Sequence, residues 1–213
     1  EIKVLIITGK GKAFCAGADL HEFKEAYEVY RKEGRDHQFG RPDLTKAFLG
    51  FPKPLIAAVN GAAYGFGLTV TLTCDIRLAS DRARFGCPFL LVGVTPEFGS
   101  SYLLPRLIGQ GKAAELVLTA RTVDSKEALE IGLVNRIVSH KELLDNSTGI
   151  ARTIADMPSG AATSARELLM REARADLHHI LEHESSVFRS CTKTEEHYRA
   201  VCKALGTIPE EFP

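Results

Sequence analysis

Lys53-Pro54-Leu55-Ile56-Ala57-Ala58-Val59-Asn60-Gly61-Ala62-Ala63-Tyr64-Gly65-Phe66-Gly67 is the stretch whose reading decides the fold. Pro52 and Pro54 end what precedes, because proline cannot continue a helix and biases its predecessor toward extended backbone. Leu55 to Val59 is apolar at every position. A strand without polar alternation suits a parallel sheet covered on both faces. Asn60-Gly61 closes the strand. Gly65-Phe66-Gly67 then opens an apolar helix over Leu68 to Cys74. Its β-branched residues lower helix propensity, so burial must hold it.

Working toward the N-terminus, Leu44 to Gly50 predicts a short helix and Gly34 to Pro42, rich in Gly, Arg and Asp, a mobile loop. A polar helical stretch runs back from about Glu33 to Phe14-Cys15-Ala16-Gly17-Ala18-Asp19. Gly9 to Lys12 is a turn, and Ile2 to Thr8 is a second apolar strand. Toward the C-terminus, Ile76 to Ala79 reads as a strand and Ala83 to Gly86 as a short extended piece. Glu97-Phe98-Gly99-Ser100-Ser101 leads into a helix through Leu107, and Lys112 to Leu118 forms another. Ser125 is placed to cap the next helix, Gly132 stops it, and Leu133 to Val138 is the last strand. Beyond Lys141 the pattern is helical to about Leu205, broken near Met157-Pro158-Ser159-Gly160. Strand and helix alternate and then only helices follow. This predicts an α/β core over residues 1–140 and a helical C-terminal region over 141–213.

Composition narrows the partners. Among 213 residues, 27 Lys and Arg balance 27 Asp and Glu. A duplex nucleic acid needs surplus positive charge to displace phosphate counterions, so none is expected. Five cysteines, Cys15, Cys74, Cys87, Cys191 and Cys202, form no CxxC pair. Reduced thiols are expected rather than a disulfide frame or a structural zinc. No apolar run approaches the length of a membrane span. A soluble intracellular protein is expected: cytoplasmic in a bacterium, in the mitochondrial or peroxisomal matrix of a eukaryote.

Glycines carry the first functional signal. Gly61, Gly65 and Gly67 lack the dinucleotide spacing, and Gly9-Lys10-Gly11-Lys12-Ala13 lacks the phosphate-loop spacing. Two strands instead each lead to a glycine-bearing turn, Gly17-Ala18 and Gly65-Phe66. Such turns free backbone N–H groups, and the second opens a helix whose dipole favours negative charge. Two N–H groups converging on one point make an oxyanion hole; turns that merely need small residues are the other reading.

Phe14-Cys15-Ala16-Gly17-Ala18-Asp19-Leu20 and Lys53 to Gly67 resemble, in order, two signatures of the crotonase superfamily, the enoyl-CoA hydratase/isomerase family. Cys74-Asp75, Arg84-Phe85-Gly86 and Ala128-Leu129-Glu130-Ile131-Gly132-Leu133-Val134 continue the resemblance. It implies a spiral ββα core that binds an acyl-CoA thioester as substrate, with no separate cofactor or metal. It implies that the Ala18 and Phe66 amides hold the thioester oxygen, that the segment Ala16 to Leu20, with Ala16, Gly17, Asp19 and Leu20, lines the adenine pocket through its backbone, and that Gly65 also binds substrate. It also implies a homotrimer or a dimer of trimers. Family members carry several tens of residues before the Ile2 strand, so the chain is expected to be trimmed there.

The resemblance also orders the chemistry. Hydratases of this family use two glutamates, and here their positions hold Thr69 and Phe89. Glu97, in Thr95-Pro96-Glu97-Phe98-Gly99-Ser100-Ser101-Tyr102, is similar to the glutamate of peroxisomal-type Δ3,Δ2-enoyl-CoA isomerases. One carboxylate suits that reaction, which moves a proton and consumes no water. Phe66, Phe89, Leu90 and Leu91 are expected to form an apolar acyl pocket whose desolvation raises the pKa of Glu97. The competing reading is that Glu97 caps the first turn of the helix after it. Asp19 is expected to fix its turn, Asp75 a helix-to-strand junction. His179 and His183 lie on an exposed helical face without the HExxH pattern. Lys193 and Arg199 are candidates for the CoA phosphates. Dienoyl-CoA isomerisation, thioester hydrolysis, hydration and a non-catalytic acyl-CoA-binding module are the alternatives.

Overall fold

The computed structural model describes residues 2–36 and 42–210. Four parallel strands form the main sheet: β1 (Leu5–Thr8), β2 (Leu55–Val59), β4 (Ile76–Ser80) and β7 (Arg136–Val138), side by side in that order. A smaller sheet holds β3 (Ala62–Tyr64), β5 (Arg84–Gly86) and β6 (Thr122–Asp124), with β3 and β5 parallel and β6 antiparallel to β5. The helices of the core are α1 (Leu20–Glu33), α2 (Pro42–Gly50), α3 (Phe66–Leu72), α4 (Ser100–Ile108), α5 (Gln110–Leu118) and α6 (Ser125–Glu130). Then come α7 (Leu143–Ala155), the long α8 (Ser159–Thr192) and α9 (Glu195–Leu205). This is the α/β core and helical C-terminal region that the alternation and the resemblance imply.

β2 is buried at every residue, as its unbroken apolar run requires. Side chains alternate across a strand. Leu55, Ala57 and Val59 therefore pack with Leu68, Leu72, Phe85 and Leu104, while Ile56 and Ala58 meet Leu78 and Leu143 under α7. The C-terminal helices are pinned to this core by polar side chains. Arg166 of α8 donates Nε to Asp75 Oδ2 at 2.6 Å and a terminal nitrogen to the Phe51 carbonyl at 2.7 Å. Asp75 Oδ2 also accepts from the Leu55 amide at 2.7 Å, so it does close a helix-to-strand junction. Tyr27 of α1 stacks on Tyr198 of α9, ring centres 4.6 Å apart.

Several local expectations need correcting. β3 and β6 are three-residue strands that the sequence pattern does not separate from their turns. β1 starts at Leu5 rather than Ile2. α3 begins at Phe66, two residues before its apolar run. β7 begins at Arg136, because Leu133 and Val134 bond back to the Ala128 carbonyl. Asp124, not Ser125, caps α6 by accepting from the Glu127 amide, and Ser125 turns its hydroxyl to the Asp81 carbonyl. Of the loop expected over Gly34 to Pro42, residues 37–41 lie outside the described residues, while Gly34 caps α1 and Pro42 begins α2.

Candidate active site

The two glycine turns are brought together by register. Phe14 and Cys15 donate to the Ala62 carbonyl, each at 3.0 Å, and Tyr64 donates to the Cys15 carbonyl at 3.0 Å. Cys15 thus pairs in parallel with Ala63. Ala18 and Phe66 each follow this bridge by three residues, in the turns that end the two segments. Asn60 anchors the preceding loop: its Oδ1 accepts from the Gly9 amide at 3.0 Å, and its Nδ2 donates to the Gly11 and Ala13 carbonyls at 3.0 and 3.2 Å.

Glycine is required where these segments meet. A Cβ on Gly67 would lie 2.1 Å from the Cys15 carbonyl oxygen. Gly17 and Gly65 have φ of 104° and 52°, a region that favours glycine. A Cβ on Gly65 would lie 3.9 Å from the Gly17 Cα and 3.8 Å from the Phe89 ring, so the two turns touch. Phe66 is the first residue of α3, and its amide has no carbonyl one turn back within the helix. Among the described residues, no acceptor meets the Ala18 or the Phe66 amide. Ala16, Ala18 and Asp19 are exposed, and Leu20 and Phe66 half-buried. Asp19 caps α1 by accepting from the His21 amide at 2.9 Å, the turn-fixing part expected of it.

Glu97 comes to the same place from another element. Thr69, one turn into α3, donates Oγ1 to Glu97 Oε1 at 3.1 Å and also lies 3.3 Å from the Phe66 carbonyl. The Phe98 ring packs edge-on against Phe66, centres 5.2 Å apart, with Phe48 of α2 on its other side at 6.2 Å. The Glu97 carboxyl is pushed up to about 7, chiefly by desolvation; the Thr69 hydroxyl opposes the shift and the nearby charge of Glu184 adds to it. Glu97 does not cap α4. Its side chain turns to Thr69, and the amides of Gly99 and Ser101 donate to Glu184, at 2.6 and 2.8 Å.

Glu184 was invisible to sequence reasoning, although a signal existed. Leu177, Ile180, Leu181 and Phe188 form the stripe of α8 that packs on the core, and Glu184 interrupts that stripe at helical spacing. Burial raises its pKa, while the Ser101 and Gly99 donors work the other way. Other expected residues are less concentrated. Phe89 is buried beside Gly65, on a short 3-10 helix that also carries Leu90 and Leu91, both exposed. His179 and His183 are exposed on α8. Lys193 pairs with Asp36 at 2.7 Å, and Arg199 pairs with Glu195. A surface depression of about 420 Å³ between Arg84, Thr122, Asp124, Lys126, Glu127 and Glu130 shares no residue with this cluster.

Two touching glycine turns thus lie close to a raised carboxyl, since Thr69 of the helix that Phe66 opens donates to Glu97. Residues 1–205 match the family described as Enoyl-CoA hydratase/isomerase. The chain belongs to the enoyl-CoA hydratase/isomerase family. The short-chain-enoyl-CoA hydratase of Clostridium acetobutylicum is 39% identical over 197 residues, which cover 92% of this chain and 74% of that protein. The enoyl-CoA delta isomerase 2 of Rattus norvegicus is 31% identical over 207 residues, 97% of this chain and 53% of that protein. A crystal structure of an enoyl-CoA hydratase/isomerase from Pseudoalteromonas atlantica matches with a TM-score of 0.85 at 31% identity, over 98% of this chain and 81% of that one. Curated relatives between 34% and 39% identical are mostly named as hydratases. Membership of the enoyl-CoA hydratase/isomerase family makes an enoyl-CoA-type thioester the class of substrate. Among the described residues no helix is long and apolar enough to cross a membrane.

Proposed function

We propose that this family member is a Δ3,Δ2-enoyl-CoA isomerase, moving the double bond of a 3-enoyl-CoA to the 2-position with Glu97 as the single proton carrier. One observation carries the reading. Glu97 holds a carboxyl raised to about 7 and hydrogen-bonded to Thr69, in the first turn of the helix that Phe66 opens. A base of that strength is half ionised near neutrality, and its protonated form is an acid of matched strength.

In the first step the Glu97 carboxylate takes a proton from C2. The C–H electron pair moves into conjugation with the thioester, and negative charge grows on the thioester oxygen. The Ala18 and Phe66 amides, each three residues past the Cys15–Ala63 bridge, donate to that oxygen. Fixed donors stabilise the dienolate more than the neutral substrate. In the second step protonated Glu97 delivers its proton to C4, and the C2=C3 bond forms. Thr69 serves both states: its hydroxyl donates to the carboxylate, and it accepts from the carboxylic acid while donating to the Phe66 carbonyl. Phe89, with Leu90 and Leu91 at the rim, borders the acyl chain. The backbone of Ala16, Gly17, Asp19 and Leu20 faces the adenine. Exposed Leu168 and Leu169 on α8 fit association of copies into a homotrimer or a dimer of trimers.

Hydration is the second reading, because most of the curated relatives above are named as hydratases. Adding water needs a base for the water and an acid for the α-carbon. The resemblance puts those two glutamates at Thr69 and Phe89, which cannot perform either task. Glu184 instead holds the turn before α4, its two oxygens accepting from the Gly99 and Ser101 amides.

The test follows the ultraviolet absorbance of the conjugated 2-enoyl thioester when the protein meets a 3-enoyl-CoA, with hydration of 2-enoyl-CoA assayed separately. Conjugation is expected, and Glu97→Gln is expected to lower kcat by about 10²- to 10⁴-fold while still binding CoA ligands. Hydration without conjugation would overturn the isomerase reading in favour of the hydratase. Release of free CoA would point to thioester hydrolysis, and CoA binding without turnover to a binding module.

A further inference from the structure

Glu184 is a buried carboxylate on α8, far along the chain from the loop it serves. Its two oxygens take the amides of Gly99 and Ser101, at 2.6 and 2.8 Å. These are the N-cap and second residues of α4, so the carboxylate sits where the helix dipole favours an anion. The turn it holds is under strain. Phe98, between Glu97 and Gly99, has φ of 63°, costly for a bulky residue. Leu177 and Leu181, on the same face of α8 as Glu184, press on Gly99, where a Cβ would lie 3.0 and 3.6 Å from them.

We propose that Glu184 is a positioning residue for Glu97: its carboxylate clamps the strained Phe98-Gly99 turn, fixing the aim of Glu97 at Thr69, and its charge keeps Glu97 a strong base. The inference rests on the isomerase reading for its catalytic consequence, but not for the coupling between the two carboxyls. Burial raises both acids, and their donors differ. Glu184 has three donors, two amides and the Ser101 hydroxyl, which oppose the upward push of burial on its carboxyl. Among the described residues Glu97 has Thr69 as its side-chain donor, and its carboxyl is raised to about 7. The groups that bear on the pair are Thr69 from α3, Ser101 from α4, and His183 beside Glu184 on α8, whose positive form would lower Glu184. α2 meets the turn through Phe48 and Phe98. Tyr102 and Arg106, further along α4, stack on each other.

The test is a direct titration of the Glu97 carboxyl by carbon NMR on protein labelled at the glutamate carboxyl carbon, with Glu97→Gln identifying its signal. The full chain is used, with Glu184→Gln and Glu184→Asp as variants and with thermal unfolding and CoA binding measured on each. Glu184→Gln is expected to lower the Glu97 pKa by about half a unit to one unit, since one like charge is gone. Glu184→Asp keeps the charge but shortens the clamp. It is expected to leave the Glu97 pKa raised while kcat for conjugation falls about tenfold or more with KM little changed. An unchanged Glu97 titration in Glu184→Gln, or losses of kcat that merely track lost thermal stability in both variants, would overturn the proposal. If the parent protein shows no conjugation, the isomerase reading fails and the titration still reports whether the two carboxyls are coupled.

Discussion

Gly67→Ala adds one methyl group where the protein has no room for it. The backbone of Gly67 is ordinary α-helix, so alanine is conformationally welcome and contributes about 1 kcal/mol of helix propensity. The space is not welcoming. The new Cβ would sit 2.1 Å from the Cys15 carbonyl oxygen and 2.9 Å from the Cys15 Cβ. An ordinary contact there needs roughly another ångström, and the nearest neighbour is backbone, unable to swing aside. Overpacking of this kind costs about 1 to 3 kcal/mol, so a net loss of up to about 2 kcal/mol is expected. For a chain of this size that lowers Tm by about 4 to 8 °C. The larger effect is on the reaction. Cys15 is registered on Ala63, so its retreat carries the Ala18 amide away from the Phe66 amide. Misplacement by about 1 Å costs on the order of 10²-fold in rate. The assay is conjugation of a 3-enoyl-CoA, read as kcat and KM, beside thermal unfolding. Gly149→Ala, mid-helix in α7 with nothing near the added atom, is the control and is expected to gain up to about 1 kcal/mol. A Gly67→Ala protein with parental kcat and Tm would refute the argument that strand register sets the donor pair.

Two further outcomes concern charge. Glu97 has a folded pKa of about 7, above its unfolded value near 4.5. Its contribution to stability is therefore full below pH 4.5 and lost as pH rises through 7. Relative to Glu97→Gln, the parent is expected to lose on the order of 2 to 3 kcal/mol between those limits; urea unfolding of both at pH 5 and pH 8 checks it, and a pH-independent difference would contradict the raised pKa. Arg166→Met leaves Asp75 short of its ion partner and is expected to cost about 3 kcal/mol by urea unfolding, with Asp75→Asn recovering part of it in the double variant. A cost near zero would mean that α8 is held by its apolar stripe alone.

The sheet was legible where one pattern dominated. Leu55 to Val59 is apolar throughout, and only a strand covered on both faces wants that. β3 and β6 escaped because three residues are too few for any period to show. Helix starts were misread by a residue or two for a related reason. Asp124 and Ser125 are both good caps, and which one is used depends on Asp81, a partner 44 residues from Ser125 in sequence. Of the candidate site, the glycine turns and Glu97 could be named from local motifs joined to the resemblance. That the turns touch could not, since Cys15 and Ala63 meet only through the fold. Asn60 read as a strand terminator, yet its carboxamide is what ties down the loop before Cys15. Glu184 was missed because a single acid in an apolar stripe is ordinarily a solvated residue. Its donors belong to a turn more than 80 positions away.

The pairing of Cys15 with Ala63 also divides the labour of the chain. The two amide-bearing turns are locked to each other directly, and everything from α1 to α2 is a detour between them. Closing a longer detour costs little, about 0.6 kcal/mol for each doubling in length. That excursion can lengthen, shorten or change composition while the spacing of the two turns stays fixed. The spacing of the two turns is therefore held by pairing alone, and within the excursion it is Phe48, packed on Phe98 beside Glu97, that ties a change of composition to the surroundings of the carboxyl.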